Sequence, residues 1–309
     1  MDPQLLAKLS RLDLVARMVV EGFIAGLHKS PFHGFSAEFS DHRPYMPGDP
    51  IRHIDWKVYG KSNRLYLKRY DEDTNLQAYI LVDCSPSMLY PLPEDGLESD
   101  EIAKLDYANM LAATLAHLLI RQRDAVGAAR FDEDVYRLVP PRTTPGHLNA
   151  ILSELNISDQ SEQSERSRNH SAVALHRLAE RLRRKGLVVI ISDFLTDETG
   201  YDENLEIWSS ALKHFRYQGH DVILFQVMTP QERSLNFDGA CLFEGMETGQ
   251  RIGADAWAIR AEYQDSVNRF LSDMAALCRN SLIDFAPLVT DQPLDAALFQ
   301  YLSKRGRMR

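Results

Sequence analysis

Between Leu76 and Asp83 the chain reads LQAYILVD, an apolar run ending on a carboxylate, and LVVIISD between Leu187 and Asp193 repeats the pattern. A strand so poor in polar residues belongs in the middle of a sheet covered on both faces, the setting of parallel strands joined by helices. The intervening segments alternate in the same sense. KLDYANMLAATLAHLLIRQRD predicts a helix apolar nearly all round, AVGAARFD a short buried strand, and VYRLVPP its antiparallel neighbour across the turn at Asp132 to Asp134. GHLNAILSEL and AVALHRLAERLRRKG read as helices, separated by the polar, low-complexity NISDQSEQSERSRN, which reads as a mobile surface loop. Arg183, Arg184 and Lys185 suit the negative end of the second helix, and Gly186 a left-handed C-cap. ENLEIWSSALKHFRYQG is a helix and HDVILFQVMTP a strand. There follow a hairpin around Glu247 to Gln250, a long helix from about Ala254 to Arg279, a strand SLIDFAPLV and a last helix from Pro293. The expected fold class is α/β, a doubly wound, mainly parallel sheet with helices on both faces.

Two segments precede this alternation. Leu6, Leu9, Val15, Val19, Phe23 and Leu27 fall at helical spacing behind an Asp2-Pro3 start, with charges that exclude a signal-peptide core. The following stretch, rich in Pro, Gly, His and aromatic residues, reads as ordered but irregular up to RLYLKRY, an outer strand expected to hairpin onto the strand ending at Asp83. This divides the chain into 1–75, the helix with its irregular segment and outer strand, and 76–309, the α/β domain with a C-terminal extension.

Charge and cysteine content narrow the function. With 35 Lys and Arg against 44 Asp and Glu, the net charge of −9 opposes binding to phosphate backbones and anionic lipid. The cysteines Cys84, Cys241 and Cys278 form no C-x-x-C pair, which suits a reducing compartment. Nowhere does the chain run to the roughly 18 to 20 apolar residues that a membrane span requires. A cytoplasmic protein without nucleic-acid partners is expected.

Asp83-x-Ser85-x-Ser87 is the segment most charged with chemistry. Residues two apart in an extended segment point the same way, so a carboxylate and two hydroxyls converge above a strand end, a hard oxygen set suited to Mg²⁺ or Mn²⁺. Pro86 keeps Ser85 out of the helical region. The plainer reading, that either serine N-caps a following helix, stands beside it. Asp193 closes a second strand of the same character, and strand ends of this kind meet at the switch point of a doubly wound sheet.

The D-x-S-x-S spacing with a later strand-terminal Asp resembles the metal-ion-dependent adhesion site of von Willebrand factor A-type domains. That resemblance implies that Asp83, Ser85 and Ser87 bind the ion, that Asp193 acts directly or through water, and that a partner carboxylate fills the open position. It also implies a loop Thr shortly before ALHRLAERLRRKG, where this chain has Asn169, His170 and Ser171; Ser171 is the hydroxyl available to replace it and Asn169 offers an amide oxygen instead, while Thr143 and Thr144 lie far upstream. Gly34, Glu38, Phe39, Arg43, Tyr45, Gly48, Asp49, Arg52, Ile54, Asp55 and Trp56, with Ser87 and Met88, are similar to the signature of a bacterial family of uncharacterised function. Its members carry a von Willebrand A-like domain and are commonly encoded beside MoxR-type AAA+ ATPases. The resemblance is close over residues 30 to 90 and holds in pattern from about 80 to 230.

Three readings follow. The first is a non-enzymatic interaction module whose cation is presented to a MoxR-type AAA+ ATPase or its client. The second is a metal-dependent hydrolase with Asp193 as base. The third is a structural scaffold whose metal site is vestigial and whose N-terminal segment carries the binding. His28, His33, His42 and His53 lack metal-ligand spacing and read as surface or satisfied histidines. Arg43, Asp49, Arg52, Asp55 and Trp56 read as a structural brace, and Cys84 as a small packing residue.

Overall fold

The computed structural model describes residues 12–20, 42–44, 59–60, 65–68, 77–92, 101–144, 146–156, 171–182, 184–195, 201–295 and 298. The chain divides into two compact units, one built on residues 25–75 and the other on 1–24 together with 76–309. The helix that the sequence groups with residues up to 75 thus belongs to the larger unit. It is α1 (12–20), and its Leu12 and Ala16 are part of that unit's core.

The core is a six-stranded sheet in the order β10-β7-β6-β3-β4-β5. Its strands are β3 (Gln77–Asp83), β4 (Ala125–Phe131), β5 (Val135–Arg142), β6 (Leu187–Ser192), β7 (Asp221–Met228) and β10 (Asp284–Val289). All neighbours pair in parallel except β5, which lies antiparallel at the edge against β4. Successive side chains on β3 face opposite ways, so Ala78, Ile80 and Val82 enter one apolar cluster while Tyr79 and Leu81 enter the other. The first cluster is covered by α1, α2 (Lys104–Arg121) and α3 (His147–Leu155), the second by α4 (Ser171–Arg181), α5 (Tyr201–Tyr217) and α7 (Ala256–Asn280). Burial on both faces is why these strands read as unbroken apolar runs. The expected fold class is therefore the observed one.

The chain leaves β3 toward β4 and β5, then returns to add β6 on the other side of β3. Asp83 and Ser192, the last residues of these two neighbouring strands, stand where the order reverses, which is where open α/β sheets place their ligands.

Two details differ from the sequence reading. The strand β2 (Tyr66–Lys68) pairs antiparallel with β1 (His42–Pro44), not with β3. Both edges of β3 are taken by β4 and β6, leaving no open ladder for a hairpin partner. The second correction concerns Gly186, which is not a left-handed cap: α4 ends at Arg181, and positive φ among glycines is confined to Gly219, Gly239 and Gly249 among the described residues. Its requirement is close approach, because a Cβ there would stand 2.1 Å from the carbonyl oxygen of Gln77. The helix expected from Pro293 agrees with the structure as far as it is described, at 294–295 and 298, which are helical. The polar stretch 157–170 and most of the segment from 28 to 64 lie outside the described residues.

The interface of α4 with α5 and the loop after α5 carry histidines held below their ordinary range. His176 Nδ1 lies 3.1 Å from His214 Nδ1; burial and the His214 charge lower its pKa, with Glu180 opposing. His220, edge-on to Tyr79 and Phe215, is lowered by burial against opposing hydrogen bonds to Leu182 and Gly186. At these two histidines the folded state binds fewer protons than the unfolded chain near the ordinary histidine value, so their contribution to stability is present above about pH 6.5 and lost as pH falls below it. A buried carboxyl raised into the same range, Asp83, acts with the opposite sign in both proteins, so the histidine contribution is read as a difference: wild type is expected to lose urea midpoint relative to His176→Gln/His220→Gln between pH 7.5 and 5.5. Identical pH profiles for the two proteins would contradict this.

Candidate functional site

Asp83 is 2% exposed at the end of β3, and both carboxylate oxygens are held. Ser85 N–H donates to Oδ1 at 2.9 Å, and the Ser192 hydroxyl of adjacent β6 donates to Oδ2 at 2.6 Å while accepting from Phe194 N–H. These donors fix the orientation of the carboxylate. Ser85 has φ −54° and ψ 157°, the extended conformation that a following proline imposes, and a single 3-10 turn, Pro86–Leu89, comes next. Ser85 stands at the N-cap of this turn but its side chain makes no capping hydrogen bond. Instead Ser85 Oγ and Ser87 Oγ lie 3.2 Å apart. Oxygens on adjacent corners of a Mg²⁺ octahedron, each about 2.0–2.1 Å from the ion, lie about 2.9 Å apart, so the paired hydroxyls beside an oriented carboxylate fit that ion. Among the described residues no three His, Cys, Asp or Glu side chains gather around one point, so any cation here depends on the serine hydroxyls.

Asp193 follows β6 at 0% exposure, its carbonyl oxygen accepting from the Gln226 amide and its Oδ1 from Leu195 N–H. The next residue, Phe194, has φ +58°, a left-handed conformation uncommon for a bulky side chain, and is clamped edge-on against Trp208 at 4.9 Å between ring centres. Burial first, and then the charge of Asp193, push the Asp83 carboxyl up to about 7, against hydrogen bonds from Ser192 and Ser85. An acid raised this way costs the folded state when it ionises, and a cation in place would offset that cost.

Lys104 opens α2 and is buried completely, with Nζ 2.7 Å from Asp193 Oδ2 and 2.5 Å from Glu232 Oε1. Burial alone would lower its pKa, but the two carboxylates outweigh burial and raise it, so the ammonium stays charged. Glu232 is set by α6 (Pro230–Ser234), whose cap residue Thr229 exchanges hydrogen bonds with it in a capping box: Thr229 Oγ accepts from Glu232 N–H, and Glu232 Oε2 accepts from Thr229 N–H. A further carboxylate arrives from far along the chain, Glu247 Oε1, which accepts from Ser87 N–H at 3.1 Å.

The structure thus gathers Asp83, Ser85, Ser87 and Asp193. Ser171 is the first residue of α4, and among the described residues no hydrogen bond ties it to them; Asn169 and His170 lie outside the described residues. Thr143 and Thr144 are exposed beyond β5. Of the histidines set aside, only the backbone of His42 is described, in β1. Cys84 N–H and Sγ both donate to the Phe131 carbonyl, a packing role in keeping with the sequence. Lys104, Ser192, Glu232 and Glu247 are additions. Thr229-Pro230-Gln231-Glu232 carries the capping-box spacing directly after an apolar strand and could have been read. A lone lysine opening an apolar helix signals little, and Glu247 is brought in only by tertiary folding.

A family model described as "Protein of unknown function DUF58" matches residues 41–270, and the chain belongs to that family. Uncharacterised proteins of Mycobacterium bovis and Mycobacterium tuberculosis are each 26% identical over 308 residues, covering 99% of this chain and 91% of theirs. The solved structure of the conserved hypothetical protein BatB from Bacteroides thetaiotaomicron is 15% identical with a TM-score of 0.41, covering 75% of this chain and 99% of that one. An aerotolerance-related membrane protein of Bacteroides fragilis is 17% identical at 0.43, covering 74% and 99%. A von Willebrand factor type A protein of Catenulispora acidiphila is 9% identical at 0.38, covering 74% and 41%. Values this low carry nothing about function to this chain. No helix among the described residues is long and apolar enough to cross a membrane.

Proposed function

We propose that this member of the family is a protein-interaction module that presents a divalent cation, Mg²⁺ or Mn²⁺, to a carboxylate of its partner. Asp83, Ser85 and Ser87 hold the ion, with Asp193 as a supporting charge and Ser171 as the loop hydroxyl that the resemblance assigns. The observation that carries the reading is the pair of serine hydroxyls 3.2 Å apart, neither used as a helix cap, beside a carboxylate oriented by two donors. An acidic protein repels an acidic ligand, and a bound cation reverses that sign locally. The partner that the signature in residues 30 to 90 implies is a MoxR-type AAA+ ATPase or the client it remodels, in the cytoplasm, with this chain as a non-enzymatic adaptor.

The alternative of a hydrolase with Asp193 as general base is disfavoured. Its Oδ2 is bonded to the Lys104 ammonium and its Oδ1 to Leu195 N–H, which leaves it poorly placed to take a proton. The test is capture of partners from native cell extract with tagged wild type and Asp83→Ala, each in Mg²⁺ and in chelator, after both are shown to fold. An AAA+ ATPase retained by wild type in Mg²⁺ alone is the expected result; the same partners in all four samples would contradict it.

A further inference from the structure

Glu247 sits at the tip of a ribbon formed by β8 (Ala240–Glu244) and β9 (Arg251–Asp255), an antiparallel pair that joins no other sheet among the described residues. Two strands alone are marginal in water, and this ribbon leaves Leu242 and Ile252 about two-thirds exposed. At its base Asp255 caps α7 by accepting from Trp257 and Ala258 N–H, and the tip turns through Gly245 N–H to Gln250 O and Gly249 N–H to Gly245 O. From within that turn the Glu247 carboxylate reaches Ser87, 160 residues away.

Glu247 thereby reaches the strand ends where Asp83 stands and where Asp193 and Glu232 share the Lys104 ammonium. A divalent cation held between the paired hydroxyls would draw these carboxylates inward. We infer that Glu247 is an internal carboxylate for the Asp83-Ser85-Ser87 site: it takes the position open to a partner's carboxylate, and the ribbon must swing away before a partner docks. The inference rests on the cation reading given above and adds to it a residue and a mode of regulation. The position is then governed by competition, since an external acidic segment gains only the difference between its own affinity and that of the tethered Glu247.

Glu247→Gln separates this from a structural role, because glutamine keeps an oxygen to accept from Ser87 N–H and loses only the charge. The experiment combines Mg²⁺ titration calorimetry with amide hydrogen exchange of residues 240–255, on wild type, Glu247→Gln and Asp83→Ala. Mg²⁺ is expected to slow ribbon exchange about tenfold in wild type and not in either variant, while Glu247→Gln still binds Mg²⁺ about tenfold more weakly. Unchanged Mg²⁺ affinity and unchanged ribbon protection in Glu247→Gln would overturn the inference and leave the cation site intact. Wild type that takes up no Mg²⁺ would overturn the cation reading itself, and the inference with it, and the wild-type titration alone identifies that case.

Discussion

Lys104→Met is expected to lower the free energy of unfolding by about 3–5 kcal/mol, the usual cost of removing one partner from a buried ion pair. The substitution preserves helix propensity and roughly the length of the side chain, so the loss comes from charge. It strands Asp193 and Glu232, whose side chains are 1% and 20% exposed, without the ammonium that both contact. Against a typical total stability of about 5–15 kcal/mol, that is a large fraction. Urea unfolding followed through the buried Trp208 reads it directly. Adding Asp193→Asn and Glu232→Gln to Lys104→Met should recover part of the loss, because the uncompensated charges then disappear. A loss below about 1 kcal/mol would mean that Lys104 contributes no more than an exposed pair does.

The second large effect concerns Asp83 and changes sign with the cation. Without divalent ions, Asp83→Asn is expected to be at least as stable as wild type, since it removes a buried charge beside Asp193 and keeps an oxygen for Ser85 N–H. With Mg²⁺ at a hundredfold excess over its Kd, wild type should gain about 2.7 kcal/mol and Asp83→Asn nothing, which reverses the order of the two proteins. Ser85→Ala and Ser87→Ala should each reduce the gain. Equal Mg²⁺ responses in wild type and Asp83→Asn would remove Asp83 from the ligand set.

Much of the layout is legible because burial on both faces writes itself into the chain. Tyr79 to Val82 and Val188 to Ile191 can be placed as central strands, and Asp83 and Asp193 at their ends, from hydropathy alone. The same logic misplaces RLYLKRY: alternation identifies a strand but not its partner, and pairing with β1 depends on which edges remain open. Gly186 misleads for a related reason, since a glycine after a basic helix end reads as a cap, while its actual constraint is the Gln77 carbonyl, more than a hundred residues away in sequence. At the site, Asp83, Ser85, Ser87 and Asp193 are legible from local spacing. Lys104 and Glu247 carry no local mark, because their positions follow from how α2 and the β8–β9 ribbon fall across the strand ends.

The most direct measurement is an anomalous difference map from crystals grown with Mn²⁺. A peak about 2.0–2.3 Å from an Asp83 carboxylate oxygen and from the Ser85 and Ser87 hydroxyls is the predicted result. Well-ordered strand ends with no peak at these oxygens, at Mn²⁺ concentrations that label other sites, would contradict a cation at the centre of this surface.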